Sequence, residues 1–179
     1  MRVRIRVAGP YDASAIFRIG ERAAEHLTAE HGRGHWSAPP TEGAVARGIA
    51  SSHVLVAEAK GEVLGTLRLV TRKPWAIDIS YFAPCVRPLY LVDMAVDPGF
   101  QLRGVGRRLL DAAREAASTW PADAIRLDAY AAAAGAGAFY ARCGFREVGR
   151  ATYRGVGLVY YEWRVPVLSG ERGPGPGRR

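Results

Sequence analysis

The spacing of apolar and polar positions changes period several times along the chain, and each change marks an expected element. Met1-Arg-Val-Arg-Ile-Arg-Val7 alternates charged and apolar side chains, so residues 2–8 are expected to form a first, half-buried strand. From Pro10 the period lengthens. Ala15, Ile16, Ile19, Ala23 and Leu27 share one helical face, with Asp12 or Ser14 available as the cap. The Gly- and Pro-containing residues 30–40 break that helix, and residues 41–51 read as a second, shorter one. Residues 53–59 and 62–72 read as strands around Lys60-Gly61, a hairpin signal. Residues 73–88 form a long irregular connection containing Trp75, Tyr81 and Phe82. An apolar strand follows over 89–96, ended by Asp97-Pro98-Gly99. A helix is expected from Gly104 to about Trp120, with Val105, Leu109, Ala113 and Ala116 or Ala117 on its core face. Residues 125–129 are a strand, 131–143 a weak helical stretch stopped by Gly144, and 145–152 and 157–165 the last two strands.

The resulting order, β-α-α-β-β-β-α-β-α-β-β, predicts an α/β chain with a mixed sheet and helices on both faces. Residues 1–166 are expected to be a single domain and the Gly/Pro/Arg-rich residues 167–179 a flexible tail. With 179 residues the chain is long enough for a proper core. No apolar run approaches the ~20 residues that span a bilayer, and the N-terminus lacks the basic head and apolar middle of a signal peptide, so a cytoplasmic protein is expected. Cys85 and Cys143 fit neither a metal spacing nor a disulfide framework. Both are expected reduced, Cys143 packed near a helix end and Cys85 in a loop.

Charge narrows the ligand class. Of the formal net charge of +8, Arg172, Arg178 and Arg179 against Glu171 place +2 in the last ten residues, leaving +6 on the body. Lysine occurs only at Lys60 and Lys73, so arginine supplies the rest. Such a surplus suits an anionic ligand with several phosphates. Nucleic acid is the competing class, but the arginines form no long run and no nucleic-acid-binding signature is present.

The strongest local feature is Val96-Asp-Pro-Gly-Phe-Gln-Leu-Arg-Gly-Val-Gly-Arg-Arg108, between an apolar strand and an amphipathic helix. A helix start leaves backbone N–H groups unpaired, and the helix dipole adds partial positive charge there. Gly104 and Gly106 let an anion approach the backbone, and Arg103, Arg107 and Arg108 surround the same turn. The turn is not a P-loop, because no Gly-Lys-Ser/Thr follows. A dinucleotide fingerprint is nearer, with Gly104-x-Gly106 and Asp128 lying 24 residues past Gly104. However, Leu109 stands at the third glycine position, and seven residues, Asp97 to Arg103, separate the strand from Gly104. The bland reading is a Gly-rich connection that binds nothing.

Gln101-Leu-Arg-Gly-Val-Gly106 resembles the coenzyme A signature Gln/Arg-x-x-Gly-x-Gly/Ala of the GCN5-related N-acetyltransferase (GNAT) family. Met94-Ala-Val-Asp-Pro98 resembles the strand that leads into that signature, and Ala136-Gly-Ala-Phe-Tyr-Ala-Arg-Cys-Gly-Phe145 resembles a second one. The likeness runs from residue 2 to about 165. It implies a GNAT-like acyl-CoA N-acyltransferase fold with acetyl-CoA as donor and no metal. It further implies that Met94, Ala95 and Val96 pair with the pantetheine arm, that the turn Gln101, Leu102, Arg103, Gly104, Val105, Gly106, Arg107 and Arg108 holds the diphosphate, and that Tyr140 also touches the cofactor and protonates the leaving thiolate. It implies strands that splay between 89–96 and 125–129. One departure stands out: Ala133 occupies a position where many members have asparagine.

Acyl transfer to an amine needs a neutral amine, a donor to the developing oxyanion and stabilisation of the thiolate. A backbone N–H of residues 94–96 is the expected oxyanion donor. Tyrosine near pKa ~10 and a thiol near ~8.5 make proton transfer accessible, whereas the bland reading of Tyr140 is core packing. Asp93, a carboxylate in an apolar strand and by alternation opposite in direction to Met94, is the candidate base. An ion pair with an arginine is its structural alternative, and water a third relay. His31 and His35 have metal-like spacing, but the intervening glycines and lack of a third ligand favour an exposed loop. No Ser-His-Asp or Cys-His set can be assembled, so direct attack is expected. The acceptor amine is expected between residues 30–36 and 73–87, walled by Trp36, Trp75, Tyr81 and Phe82, aromatics that equally suit a homodimer contact. The positive charge argues against a polycationic acceptor. The alternative function is a non-catalytic acyl-CoA-binding module.

Overall fold

Two tight hairpins and one parallel junction set the order of the sheet. The computed structural model describes residues 1–166; the expected tail, 167–179, lies outside the described residues. Seven strands, β1 (Arg4–Val7), β2 (His53–Ala59), β3 (Glu62–Val70), β4 (Pro88–Val96), β5 (Ala124–Tyr130), β6 (Arg146–Tyr153) and β7 (Val156–Arg164), form one sheet in the order β1-β2-β3-β4-β5-β7-β6. Every neighbouring pair is antiparallel except β4 with β5. The helices are α1 (Ala13–His31), α2 (Glu42–Ser51), α3 (Val105–Thr119) and α4 (Gly137–Arg142), so the element order is the one the periodicity predicts. Two successive left-handed residues close each hairpin, Lys60 and Gly61 at φ 53° and 80° and Arg154 and Gly155 at φ 50° and 80°. Such turns match the right-handed twist of the strands they join. Among the described residues no helix is long and apolar enough to cross a membrane.

Helices cover the sheet on both faces. Val105, Leu109, Ala113 and Ala117 of α3 are buried against Leu67, Leu69, Ile125 and Leu127. This face closes tightly because β3 carries Gly65, where a Cβ would lie 3.2 Å from both Leu109 and Val105 side chains. On the opposite face Ile16 of α1 and Val45 and Ile49 of α2 pack on Val54 and Val56. Residues 73–88 lie over the sheet beside them, burying Ile77 and Phe82 with Tyr90, Leu158 and Tyr160. The irregular connection is thus part of the core.

Three local expectations are corrected. Asp12 stands at the N-cap position of α1 but its side chain does not bond the first turn: it accepts the Gly9 N–H at 2.7 Å and pairs with Arg6, while Ser14 bonds Glu42. Arg6 and that amide hold the Asp12 carboxyl below its ordinary pKa, against the effect of burial. The α4 helix covers only Gly137–Arg142, because residues 131–136 turn back on β5 so closely that a Cβ at Gly135 would lie 1.9 Å from the Tyr130 carbonyl oxygen. Strand β3 ends at Val70, two residues early. Cys143 is buried at the end of α4 and Cys85 is half-buried in the 73–88 connection, both as free thiols.

One ion pair is enclosed in this framework. Arg126 of β5 and Glu162 of β7 stand opposite each other in register, 3.0 Å apart, with side chains only 5% and 1% exposed. Arg126 also donates to the Ala83 carbonyl at 2.6 Å and lies over the Phe82 ring, tying residues 73–88 to the sheet. Removing Arg126 leaves the buried Glu162 with only Arg164, 3.5 Å away and half exposed, while removing both Arg126 and Glu162 leaves no buried charge. In urea unfolding, Arg126→Met is expected to lower stability by about 3–5 kcal/mol, and adding Glu162→Leu is expected to restore most of the loss.

Candidate functional site

The site begins where two strands part. β4 and β5 pair over three residues only, Pro88 with Ala124, Leu89 with Ile125 and Tyr90 with Arg126. Beyond Tyr90 the edge of β4 that faces β5 has no strand partner, although its other edge remains paired with β3 as far as Val96. Unpaired backbone donors and acceptors along such an edge are suited to an extended ligand that adds as a strand.

The free part of β4 is not a regular strand. Thr66 pairs with Ala95 but Arg68 with Val92, so Leu67 alone stands opposite both Asp93 and Met94. Asp93 takes the extra position with a left-handed backbone, φ 51°, a conformation aspartate tolerates better than most residues. Strict alternation would put Asp93 on the face of Leu89 and Leu91, inside the α3 core. The bulge turns it instead to Arg68, whose Nη2 is 2.6 Å from Asp93 Oδ2. The carboxylate is about half exposed. Met94 turns the other way, towards α3 and α4. The arginine pairing weighed from the sequence is therefore present, at the edge of the slot.

The turn between β4 and α3 has the form of an anion cradle. Asp97 anchors it: the buried carboxylate accepts the Gly99 N–H at 2.9 Å and pairs with Arg22 of α1 at 2.7 Å. Gln101 Nε2 donates to the Val96 carbonyl at 3.3 Å. The first intrahelical bond of α3 runs from Arg108 N–H to Gly104 O, so the amides of Leu102, Arg103, Gly104, Val105, Gly106 and Arg107 find no acceptor among the described residues. Gly104 has φ 80°, with no heavy atom within 4 Å of where a Cβ would stand. Leu102, also left-handed at φ 58°, is fully exposed. The arginines divide. Arg103 lies over the Phe100 ring, Arg107 donates to the Arg142 carbonyl and Arg108 to the Val3 carbonyl. Open amides and a helix start thus fit the diphosphate of a coenzyme A, with arginine at the rim.

The two sequence motifs meet at Met94. Its Sδ accepts from the Tyr140 hydroxyl at 3.7 Å, and its Cε lies 3.4 Å from where a Cβ on Gly106 would be. That Cβ would also come within 3.0 Å of Phe139. Gly106 is therefore required by the close approach of α4 to α3. Tyr140 is only 7% exposed and packs against Phe139, Phe145 and Tyr161. Burial, with a contribution from the charge of Asp128, pushes its phenol pKa well above the ordinary value. It is thus a poorer acid than an exposed tyrosine and keeps its proton.

Asp128 has a place the sequence did not reveal. It lies two residues past the last β4–β5 pair, and burial raises its carboxyl pKa. The sequence singles it out only as the acid 24 residues past Gly104 in the dinucleotide reading. Its one other signal was an acid two positions from Arg126 in an apolar strand. On the face of α1 and α2 a cavity of ≈ 470 Å³ reaches the slot at Asp93, Met94 and Ala95. His35, Trp36 and Tyr130 line it, but Trp75, Tyr81 and Phe82 do not. Phe82 and Tyr81 pack on Tyr160, and Trp75 is exposed. This cavity is walled by α1 and α2 rather than by residues 73–87. His31 lies at the end of α1 beside Glu30, apart from the cavity-lining His35.

Comparison with known proteins agrees with this fold. The family model described as the acetyltransferase (GNAT) domain matches residues 50–147, more than half of the chain. No curated protein matches. Among solved structures, an N-acetyltransferase from Staphylococcus aureus Mu50 superposes with a TM-score of 0.70 at 20% identity, covering 93% of this chain and 100% of the other. A putative acetyltransferase from Salmonella typhimurium, solved with its cofactor acetyl-CoA, gives 0.68 at 18%, covering 93% and 96%. The ribosomal-protein-S18-alanine N-acetyltransferase from Escherichia coli gives 0.68 at 18%, covering 95% and 98%. At these identities the likeness is one of fold. The match over residues 50–147 carries the assignment further: the chain belongs to the GNAT acetyltransferase family.

Proposed function

We propose that the chain is an N-acetyltransferase that moves the acetyl group of acetyl-CoA to a primary amine of a small molecule or peptide by direct attack. The observation that carries this is the meeting of Tyr140, Met94 and Gly106 beside the unpaired edge of β4. Bound acetyl-CoA supplies a thioester carbonyl. The amides of residues 102–107 and the rim arginines hold its phosphates, and the free edge of Met94, Ala95 and Val96 takes the pantetheine arm. A backbone N–H of that edge stabilises the charge that develops on the carbonyl oxygen.

In the transfer a C–N bond forms and the C–S bond breaks, leaving its electron pair on sulfur. Asp93, at the mouth of the cavity and steadied by Arg68, takes the proton that the amine must lose. Tyr140 supports the departing thiolate chiefly by donating a hydrogen bond. Its raised pKa makes full proton transfer to a thiolate uphill, so the sulfur acquires its proton from the surroundings. The negative charge of Asp128 disfavours the phenolate and so preserves that donor.

Three outcomes test the parts separately. Gly104→Val forces a β-branched residue into φ 80° and is expected to raise the Kd for coenzyme A by about 10-fold in calorimetric titration. Gly155→Val, with the same φ in the β6–β7 hairpin, leaves that Kd unchanged. Tyr140→Phe and Asp93→Asn are each expected to lower kcat/KM by about 100-fold while coenzyme A binding persists; an active Asp93→Asn beside an inactive Asp128→Asn would move the base to β5. Because the phenol pKa is raised, the donor form survives above the ordinary ~10. The ratio of wild-type to Tyr140→Phe kcat should therefore stay level from about pH 7 to 10, and a collapse of that ratio near pH 10 would contradict the assignment. Coenzyme A binding with no transfer to any amine would favour a non-catalytic binding module.

A further inference from the structure

We propose that the acceptor is a monoamine carried on an apolar body, and that α1 and α2 build the pocket that selects it. This rests on the acetyltransferase reading above and names its substrate class. The ≈ 470 Å³ cavity runs from Asp93 and Ala95 at the slot back between the two helices. Its size is that of an ordinary small-molecule site. Ile16, Ala23, Leu27, Val45 and Ile49 present hydrocarbon to it. Small residues of both helices leave space along it, Gly20 and Ala24 on α1 and Ala44 and Gly48 on α2, and a Cβ on Gly20 would meet Pro39 and Pro40 at 3.8 and 3.9 Å. Gly48 has a second effect: a Cβ there would lie 3.4 Å from Arg68 Cδ, so its absence leaves Arg68 room to lie under α2 on its way to Asp93.

The polar content of the lining sets the charge of the ligand. Asp93 is the one carboxylate lining the cavity, and Arg68, its ion-pair partner, the one guanidinium. One ammonium is drawn to Asp93, at the end of the cavity where Ala95 and Met94 border the slot. A second ammonium, as in a polyamine or aminoglycoside, would be desolvated among aliphatic side chains with no counter-charge and with Arg68 nearby. An acceptor carboxylate would have to compete with Asp93 for Arg68. The Trp36 ring stands edge-on to Tyr130 at 5.7 Å in the lining, adding aromatic surface for an apolar or aryl body.

The test is steady-state thiol release from acetyl-CoA by the full chain across four amine classes: linear alkylamines from ethylamine to hexylamine with phenethylamine, spermidine, kanamycin, and free phenylalanine. The alkylamine series is expected to rise in kcat/KM by about 3-fold per methylene. The best apolar monoamine should exceed spermidine, kanamycin and phenylalanine by at least about 100-fold, the ratio expected when a buried charge is left without a partner. Ala23→Phe, which fills the cavity from α1, should raise KM for hexylamine by about 10-fold or more while leaving the Kd of coenzyme A unchanged. Thiol release that favours spermidine, kanamycin or phenylalanine, or is indifferent to alkyl length, overturns the proposal and leaves the acetyltransferase reading standing. Absence of release with every amine, with coenzyme A still bound, overturns both.

Discussion

The parting of β4 from β5 after three residue pairs is the constraint on which the rest of the molecule depends. A parallel pair inside a sheet would ordinarily continue to the ends of its strands, because unpaired backbone groups are costly to bury. Here the pairing stops at Tyr90 and Arg126, and the sheet opens in its middle rather than at an edge. The closed end is held firmly. Arg126 is the last residue of β5 paired with β4, and its buried bond to Glu162 and its contact with Phe82 and Ala83 bind β5, β7 and residues 73–88 together. The open end is bordered by the residues that the proposed chemistry uses.

The slot divides the labour of the two faces. On the α3 and α4 side lie the amide-rich turn, Gly106 and Tyr140, suited to a phosphorylated donor with a long flexible arm. On the α1 and α2 side lies an apolar cavity with one ion pair where it meets the slot, suited to an acceptor. The bulge at Asp93 and Met94 joins them. The extra residue reverses the faces that strict alternation would assign, sending the carboxylate to the α1 and α2 side and the thioether to the α3 and α4 side. Asp97 and Arg22 lock this arrangement to α1, coupling the position of the cradle to the helix that walls the acceptor cavity.

Much of this architecture is written in local pattern. The two-residue period of the strands, the apolar face of α3 and the left-handed hairpin residues each act through neighbours in the chain, and the order of all eleven elements follows from them. The cradle is legible for the same reason: Gly104 and Gly106 at a helix start are a local signal with a local cause. What depends on distant contacts is not. Alternation along residues 89–96 cannot reveal that Leu67 faces two residues of β4, and so cannot show that Asp93 escapes the core towards Arg68. Irregular residues 73–88 give no sign that Ile77 and Phe82 are buried under Tyr160, which is why they were expected to wall the acceptor. The alanine-rich run before Tyr140 has helical composition, yet contact with the Tyr130 carbonyl shortens the helix to six residues. Asp128 acquires its perturbed carboxyl only from burial beside the slot.

The central claim is that an extended ligand arm enters between β4 and β5 and completes the free edge of β4. Amide hydrogen exchange, followed by peptide mass spectrometry with and without saturating coenzyme A, reads this directly. Slower exchange on binding is expected in two segments together, residues 91–96 of β4 and residues 102–107 of the cradle, with the β6–β7 hairpin unchanged. Protection of the cradle with no change in residues 91–96 would contradict the claim, since the phosphates would then be held without the arm entering the slot.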